Sequence, residues 1–267
     1  SNVGISLDGL EDTHDFIRKK GSYKRIMDGL EVLRKEGVAA SIVSCLHKRN
    51  MPELPELKKV LVEKGVVSWQ LQAAVPMGNL LDYPEWLFDA HEVDDIINFA
   101  YDVMKEGQIK VYLADDVGYI NCKEIEVRKN STPIDRYTGI WEGCPAGKRV
   151  IGIRTNGDII GCLSIRDDSL IEGNIRETPL KEIWTRPGAF AWNRDMDKSK
   201  LEGFCKTCQY GSYCLGGCSG TKLIRYKTIA DNEFCSYRIA VEKEQVEVEK
   251  ASDFDALLKE AKQNIAE

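Results

Sequence analysis

The sequence predicts an α/β protein in two parts: parallel strands joined by helical crossovers, then a small cysteine-dense domain. Three observations carry this. Strand-like and helix-like patterns alternate with a period of about thirty residues through residues 1–115, as βα units do. Seven of the nine cysteines fall between Cys144 and Cys235. Asn156-Gly157 separates two short apolar runs, a hairpin signal that places Cys162 on the return strand.

In order, residues 3–7 read as the first strand. Tyr23, Ile26, Met27, Leu30 and Leu33 then recur at helical spacing, with Ser22 as the expected N-cap and Gly37 just past the end. Residues 38–46 follow as a buried strand, and Cys45 in its apolar run is expected in the core. Residues 54–64, closed by Gly65, make the next helix and 66–71 the next strand; residues 92–106, closed by Gly107, precede the strand 110–113. Four parallel strands with helical crossovers form part of a barrel or an open sheet. Asp115-Asp116 stand where a barrel places functional groups, but a turn with two solvated aspartates explains them more simply than an acid–base pair. Trp141, Trp184, Phe190 and Trp192 are expected to fill the core of the second domain. Phe254, Leu257, Leu258, Ala261 and Ile265 form an apolar stripe on a last helix that Ser252 and Asp255 start.

The cysteines run Cys144-x17-Cys162, then Cys205-x2-Cys208-x5-Cys214-x3-Cys218, then x16-Cys235. Disulfide scaffolds are short and even in cysteine, whereas this chain has 267 residues, nine cysteines and no signal-peptide pattern, which points to a reducing, cytoplasmic setting. Cys205-x2-Cys208 is the bite of a zinc ribbon, so zinc is the serious competitor. Four cysteines packed between Cys205 and Cys218, with three at long range, exceed one tetrahedral site and nearly fill two. Iron–sulfur clusters also take four thiolates each, so two cubanes would leave one iron without a local thiolate. The three histidines, His14, His47 and His91, are too few for a histidine-rich metal site.

This pattern, with Gly157-x4-Cys162 and the run Gly173-Asn174-Ile175 before Glu182-Ile183-Trp184, resembles the seven-cysteine signature of SPASM domains. These are the auxiliary-cluster domains of radical S-adenosylmethionine (SAM) enzymes. The resemblance implies two auxiliary [4Fe-4S] clusters with crossed wiring. Cys144, Cys162 and Cys218 would hold the first, and Cys205, Cys208, Cys214 and Cys235 the second. The fourth site of the first is open, taken by substrate or solvent, or filled by Cys122; as a free cysteine, Cys122 reads more simply as a small buried hydrophobe.

Nearer the start, Ser6-Leu7-Asp8-Gly9, His14-Asp15, Arg18 and Gly21-Ser22-Tyr23 resemble the fourth-strand motif of radical SAM barrels. On that resemblance Ser6, Asp8 and Arg18 are the cofactor-binding candidates, with Arg18 suited to pair the methionine carboxylate. Without it, Asp8-Gly9 simply turns the chain and His14-Asp15 caps a helix. The implied fold is the C-terminal part of a partial (β/α)6 radical SAM barrel over residues 1–135, a small α+β SPASM domain over 136–240 and a tail over 241–267. The family's Cys-x3-Cys-x2-Cys triplet, which holds a third [4Fe-4S] cluster and SAM, does not occur in this sequence. A truncated chain that does not make the deoxyadenosyl radical alone is therefore expected.

A net charge of −6 and a pI near 5.4 argue against a nucleic-acid surface, and no stretch approaches the roughly 20 apolar residues of a membrane span. The basic runs Arg18-Lys19-Lys20 and His47-Lys48-Arg49 read as solvated. The function the resemblance implies is an oxidoreductase-type peptide maturase that crosslinks a ribosomally made precursor peptide, fed by a flavodoxin or ferredoxin. Sulfatase maturation fits less well, because that subclass carries Asp after the second SPASM cysteine and Cys162 is followed by Leu163. A SAM enzyme acting on a small molecule, such as a haem-pathway intermediate or a quinone-cofactor precursor, and a zinc-binding interaction module are the alternatives.

Overall fold

The computed structural model describes residues 2–132 and 139–243. They fall into two compact units, one holding residues up to 140 together with those from 234 onward, the other holding 141–233. The helix predicted near 252–265 lies outside the described residues.

In the first unit, β1 (Asn2–Ser6), β2 (Ala39–Leu46), β3 (Ser68–Ala73) and β4 (Lys110–Leu113) form a parallel sheet in sequence order. The connections are α1 (Glu11–Ile17) with α2 (Ser22–Lys35), then α3 (Leu54–Glu63), then α4 (Val93–Glu106), and α5 (Cys122–Ser131) follows β4. Each predicted element occurs with its ends within two residues of expectation. Helix α4 shows why: Val93, Ile96, Ile97, Ala100 and Val103 recur at helical spacing and are buried, and each large apolar side chain so buried contributes about 1.5–3 kcal/mol.

The sheet is not buried on both faces. Ala40, Ile42, Ser44, Leu46, Trp69, Leu71, Val111 and Leu113 are buried on one face, while Ser41, Cys45, Ser68, Gln70, Gln72 and Tyr112 are half-buried on the other. The buried Ser44 is satisfied: Trp69 Nε1 donates to its hydroxyl at 2.8 Å, and that hydroxyl donates to the Leu7 carbonyl. Cys45 therefore leaves the core expected of it. Strand alternation turns it to the polar face, away from Leu46.

One cap differs from expectation. Ser22 is the first helical residue of α2, not its cap, and Gly21 before it is left-handed at φ 76°. Asp15 does the capping from α1, accepting from the Gly21 amide, from the Tyr23 amide at 2.8 Å and from the Ser22 hydroxyl at 3.3 Å. A carboxylate reaches three donors where a serine side chain satisfies one.

Helix α5 holds a buried ion pair, Arg128 Nε to Glu124 Oε1 at 2.7 Å. The rest of the Arg128 guanidinium donates to the carbonyls of Leu113, Ala114 and Val117 at 3.2, 3.0 and 2.8 Å. It thereby fixes the turn after β4 that contains Asp115 and Asp116.

The second unit has a small antiparallel sheet, β5 (Gly152–Ile153), β6 (Asp158–Ile160) and β7 (Gly173–Asn174). The hairpin expected at Asn156-Gly157 occurs, but its β5–β6 loop has three residues where a type I′ turn has two. The Arg154 amide pairs with Asp158 O, the Gly157 amide returns to Arg154 O, and Gly157 alone takes a left-handed φ of 96° while Asn156 does not. β6 ends at Ile160, so Cys162, expected on the return strand, lies two residues beyond it. Short helices follow: α6 (Leu180–Thr185), α7 (Ala191–Arg194), α8 (Gly203–Thr207), α9 (Gly211–Cys214) and α10 (Ser219–Tyr226). The aromatics act as core: Phe190 and Trp141 are buried, and Trp184 and Trp192 pack against buried clusters around Ile159 and Ile160. The chain then continues in the first unit as α11 (Ser236–Glu242).

Candidate functional site

In the first unit a cavity of about 560 Å³ opens beyond the C-terminal ends of β1, β2 and β3, bordered by Asp8, Arg18, Cys45, His47, Tyr83 and Trp86. Parallel α/β folds place their ligands at this end of the sheet.

The loop after β1 is locked from several sides. Asp8 is fully buried; its carboxylate accepts from Arg18 Nε at 2.5 Å and from the Cys45 amide at 2.8 Å. Its backbone N–H donates to His14 Nδ1 at 3.1 Å, and its carbonyl accepts from Asn50 Nδ2 at 2.6 Å. Glu53 accepts from the Leu10 amide at 2.8 Å and from the Thr13 hydroxyl at 2.5 Å. Gly9 is required between them, since a Cβ there would lie 2.8 Å from Glu53 Oε2.

Arg18 sits over this loop with its side chain 46% exposed, and its hydrogen bond to Asp8 holds its pKa above the ordinary value. The two terminal nitrogens of its guanidinium make no hydrogen bond to any described residue. Ser6, the third candidate, is exposed on the polar face of β1 beside Val43 and does not border the cavity. Asp115-Asp116 form a turn; Asp115 is exposed and its carbonyl accepts from Tyr119 Oη at 2.7 Å, while Asp116 is buried. Burial, with the charges of Asp8 and Asp116, pushes the Cys45 thiol up to about 12.

The run His47-Lys48-Arg49 is not merely solvated. His47 is 4% exposed, stacks on Trp86 at 5.4 Å and 22°, and burial lowers its pKa to about 4. Neither of its ring nitrogens has a hydrogen-bond partner among the described residues. Arg49 lies 4.3 Å over Phe16 and 4.9 Å over Trp86, and Tyr83 stacks on Trp86 at 4.2 Å. Sequence reasoning missed His47, Asn50, Glu53 and Trp86 as site residues. Position was the usable signal, since His47 and Asn50 follow the end of β2 as Asp8 follows the end of β1.

No disulfide joins any of the nine cysteines. Cys144 packs with Ile160, Ile165 and Cys162, and buried Asn193 holds its turn by donating to the Cys144 and Ala146 carbonyls at 2.8 and 2.6 Å. Cys162 Sγ accepts from the Ser164 amide at 3.4 Å. Cys218 caps α10, and a Cβ on Gly220 would lie 3.7 Å from its sulfur and 3.3 Å from Ser164 Cβ, which brings Cys218 beside the Cys162 segment. Cys205 donates its amide to Asp231 at 3.1 Å; burial and then Asp231 push its thiol up to about 12, and burial also raises Cys208. Buried Lys222 has Cys214, Cys205, Cys144 and Cys218 as electrostatic neighbours. Burial holds its pKa below the ordinary ammonium value, and those four cysteines, as thiolates, oppose that shift. Cys235 is buried in the first unit with its sulfur 4.0 Å from the Tyr119 carbonyl; Cys122 is exposed at the start of α5.

Among the described residues no three His, Cys, Asp or Glu side chains gather as one metal ion would require. A cubane carries its thiolates on four separate irons and spreads them more widely than a single ion does. A soft, all-sulfur donor set with a buried ammonium against it fits an anionic iron–sulfur cluster.

The SPASM iron–sulfur cluster-binding domain family matches residues 144–209. An AdoMet-dependent heme synthase from Methanosarcina barkeri is 26% identical over 88% of this chain and 67% of its own length. A cysteine-type anaerobic sulfatase-maturating enzyme from Clostridium novyi is 20% identical over 87% of this chain and 62% of its own. The structure of anSMEcpe with bound AdoMet superposes with a TM-score of 0.64 at 17% identity, covering 98% of this chain and 68% of that one, and so shows the fold. The chain spans 61 to 67% of the length of the three heme synthases it matches. Residues 144–209 thus match the SPASM iron–sulfur cluster-binding domain, and over most of its length the chain is similar to AdoMet-dependent enzymes and has the fold of a SPASM-type AdoMet-binding structure.

Proposed function

We propose that the protein is a radical SAM/SPASM enzyme that binds SAM at the Asp8–Arg18 cavity and a flat, anionic tetrapyrrole of the haem pathway beside it. The observation that carries the binding reading is Arg18, oriented by Asp8 through one nitrogen and left with two nitrogens for a carboxylate. The substrate class rests on the heme synthases among the relatives, an associational warrant, and on the aromatic wall of Phe16, Tyr83 and Trp86, which suits a planar ring.

Bound SAM, given one electron by the cluster that a Cys-x3-Cys-x2-Cys triplet holds, would supply an alkyl radical and release methionine, and the auxiliary clusters would exchange single electrons. The work of this chain is different. Asp8, Asn50 and Glu53 keep the first loop rigid, and Arg18 fixes a carboxylate. His47, neutral at physiological pH, offers one donor and one acceptor inside an apolar wall. Cys144, Cys162 and Cys218 would hold one cluster and Cys205, Cys208, Cys214 and Cys235 the other, in a reducing cytoplasm with a flavodoxin or ferredoxin as electron donor.

A precursor peptide is the second reading, favoured by the sulfatase-maturating relative. The two separate in one experiment on the full-length protein, prepared without oxygen. Titration with iron coproporphyrin III should give a saturable Soret shift that Trp86→Ala weakens. No shift, together with SAM cleavage stimulated by cysteine-containing peptides, would replace the first reading with the second.

A further inference from the structure

Lys222 is 1% exposed, yet no carboxylate pairs with it among the described residues. Its ammonium donates to the Leu215 carbonyl at 3.0 Å and to the Ile229 carbonyl at 2.6 Å, which leaves one N–H uncommitted. Leu215, Gly216 and Gly217 are left-handed in succession, at φ 50°, 75° and 78°. This turn is pressed between the ammonium and a cysteine: a Cβ on Gly216 would stand 2.9 Å from Lys222 Nζ and 3.7 Å from Cys205 Sγ. On its other side, Lys222 stands one helical turn after Cys218 in α10 and donates its amide to the Cys218 carbonyl at 3.1 Å, and Cys144 and Cys214 are further electrostatic neighbours. Cys144 and Cys218 belong to one proposed ligand set, Cys205 and Cys214 to the other.

A buried ammonium without an anion is costly, and two hydrogen-bonded carbonyls offset only part of that cost. Thiolates bound to clusters at the two cysteine sets would supply the counter-charge. We propose that Lys222 is a positioning cation shared by the two auxiliary cluster sites, raising the reduction potential of both. Each cluster gains one electron on reduction, from an external one-electron donor, and no proton moves. A fixed positive charge in a low-dielectric interior stabilises the more negative, reduced form over the oxidised one. The inference rests on the reading that both cysteine sets hold clusters.

The test is an EPR-monitored redox titration of the full-length protein, reconstituted without oxygen, with iron counted on every sample. Lys222→Gln keeps a donor for the carbonyls and removes the charge; Lys222→Arg keeps the charge. For Lys222→Gln, both auxiliary potentials should fall enough to change the reduced-to-oxidised ratio at least tenfold, ~59 mV for one electron, while Lys222→Arg stays near wild type. Unchanged potentials in Lys222→Gln, or a change in one cluster only, would overturn the proposal. Should Lys222→Gln lose its iron, retention by Lys222→Arg supports a role for charge, and equal loss in both assigns Lys222 to pinning the turn instead. Wild-type protein lacking iron for two auxiliary clusters would remove the underlying reading, and that shows before any variant is made.

Discussion

Arg18 gives its Nε hydrogen to the fully buried carboxylate of Asp8 at 2.5 Å and keeps its two terminal nitrogens for something else. The pair sets the direction of a cation at the mouth of the cavity, so replacing the guanidinium should cost ligand binding more than stability. Arg18→Lys is expected to weaken SAM binding about tenfold, ~1.4 kcal/mol, because an ammonium cannot hold Asp8 and a second carboxylate in one plane. Equilibrium dialysis against SAM checks this, alongside an unfolding curve that should barely move.

The pair of Glu124 and Arg128 is structural. Arg128→Met leaves a buried carboxylate and three carbonyls without their donor, and is expected to destabilise the protein by about 3–5 kcal/mol. Urea unfolding of the single variant and of the Glu124→Gln/Arg128→Met double variant should show the double recovering part of the loss. A double variant no better than the single would mean that the carbonyl contacts, and not the stranded charge, dominate.

His47 predicts a pH dependence. Burial lowers its folded-state pKa to about 4, so the unfolded chain takes up a proton near pH 6.5 that the folded chain refuses. Its effect on stability is absent above the unfolded pKa, grows as pH falls from about 6.5 to about 4, and levels off below. The loss should approach about 3 kcal/mol. His14, lowered in the same direction by burial, adds to it. Denaturant midpoints at pH 7.5 and pH 4.5 should converge in His47→Phe relative to wild type.

The cysteine assignment predicts iron counts. Protein reconstituted without oxygen should bind about eight auxiliary irons, and Cys162→Ala or Cys208→Ala should each remove about four. Colourless protein carrying about two zinc ions would favour the interaction module.

Much of the architecture was legible because it depends on local patterns. Val93 to Val103 recur on one helical face, and Gly37, Gly65 and Gly107 close their helices, each with a positive φ of 66–70°. What failed depended on distant partners. Nothing near Ser22 says that Asp15 will take its capping role, and Asn156-Gly157 does not by itself show that Arg154 will pair with Asp158. The metal framework was visible as spacing, whereas Lys222 became informative only when folding carried it among cysteines 4 to 78 residues away in sequence. Cys45 was misplaced because an apolar run conceals an alternation that only its neighbours in β1 and β3 reveal.

That alternation has an evolutionary consequence. A sheet whose stability comes from one face can change the other without unfolding. Gln70, Gln72 and Tyr112 can change toward a new substrate while Ile42, Leu71 and Trp69 keep the scaffold, so one architecture can serve unrelated chemistries at little cost to folding.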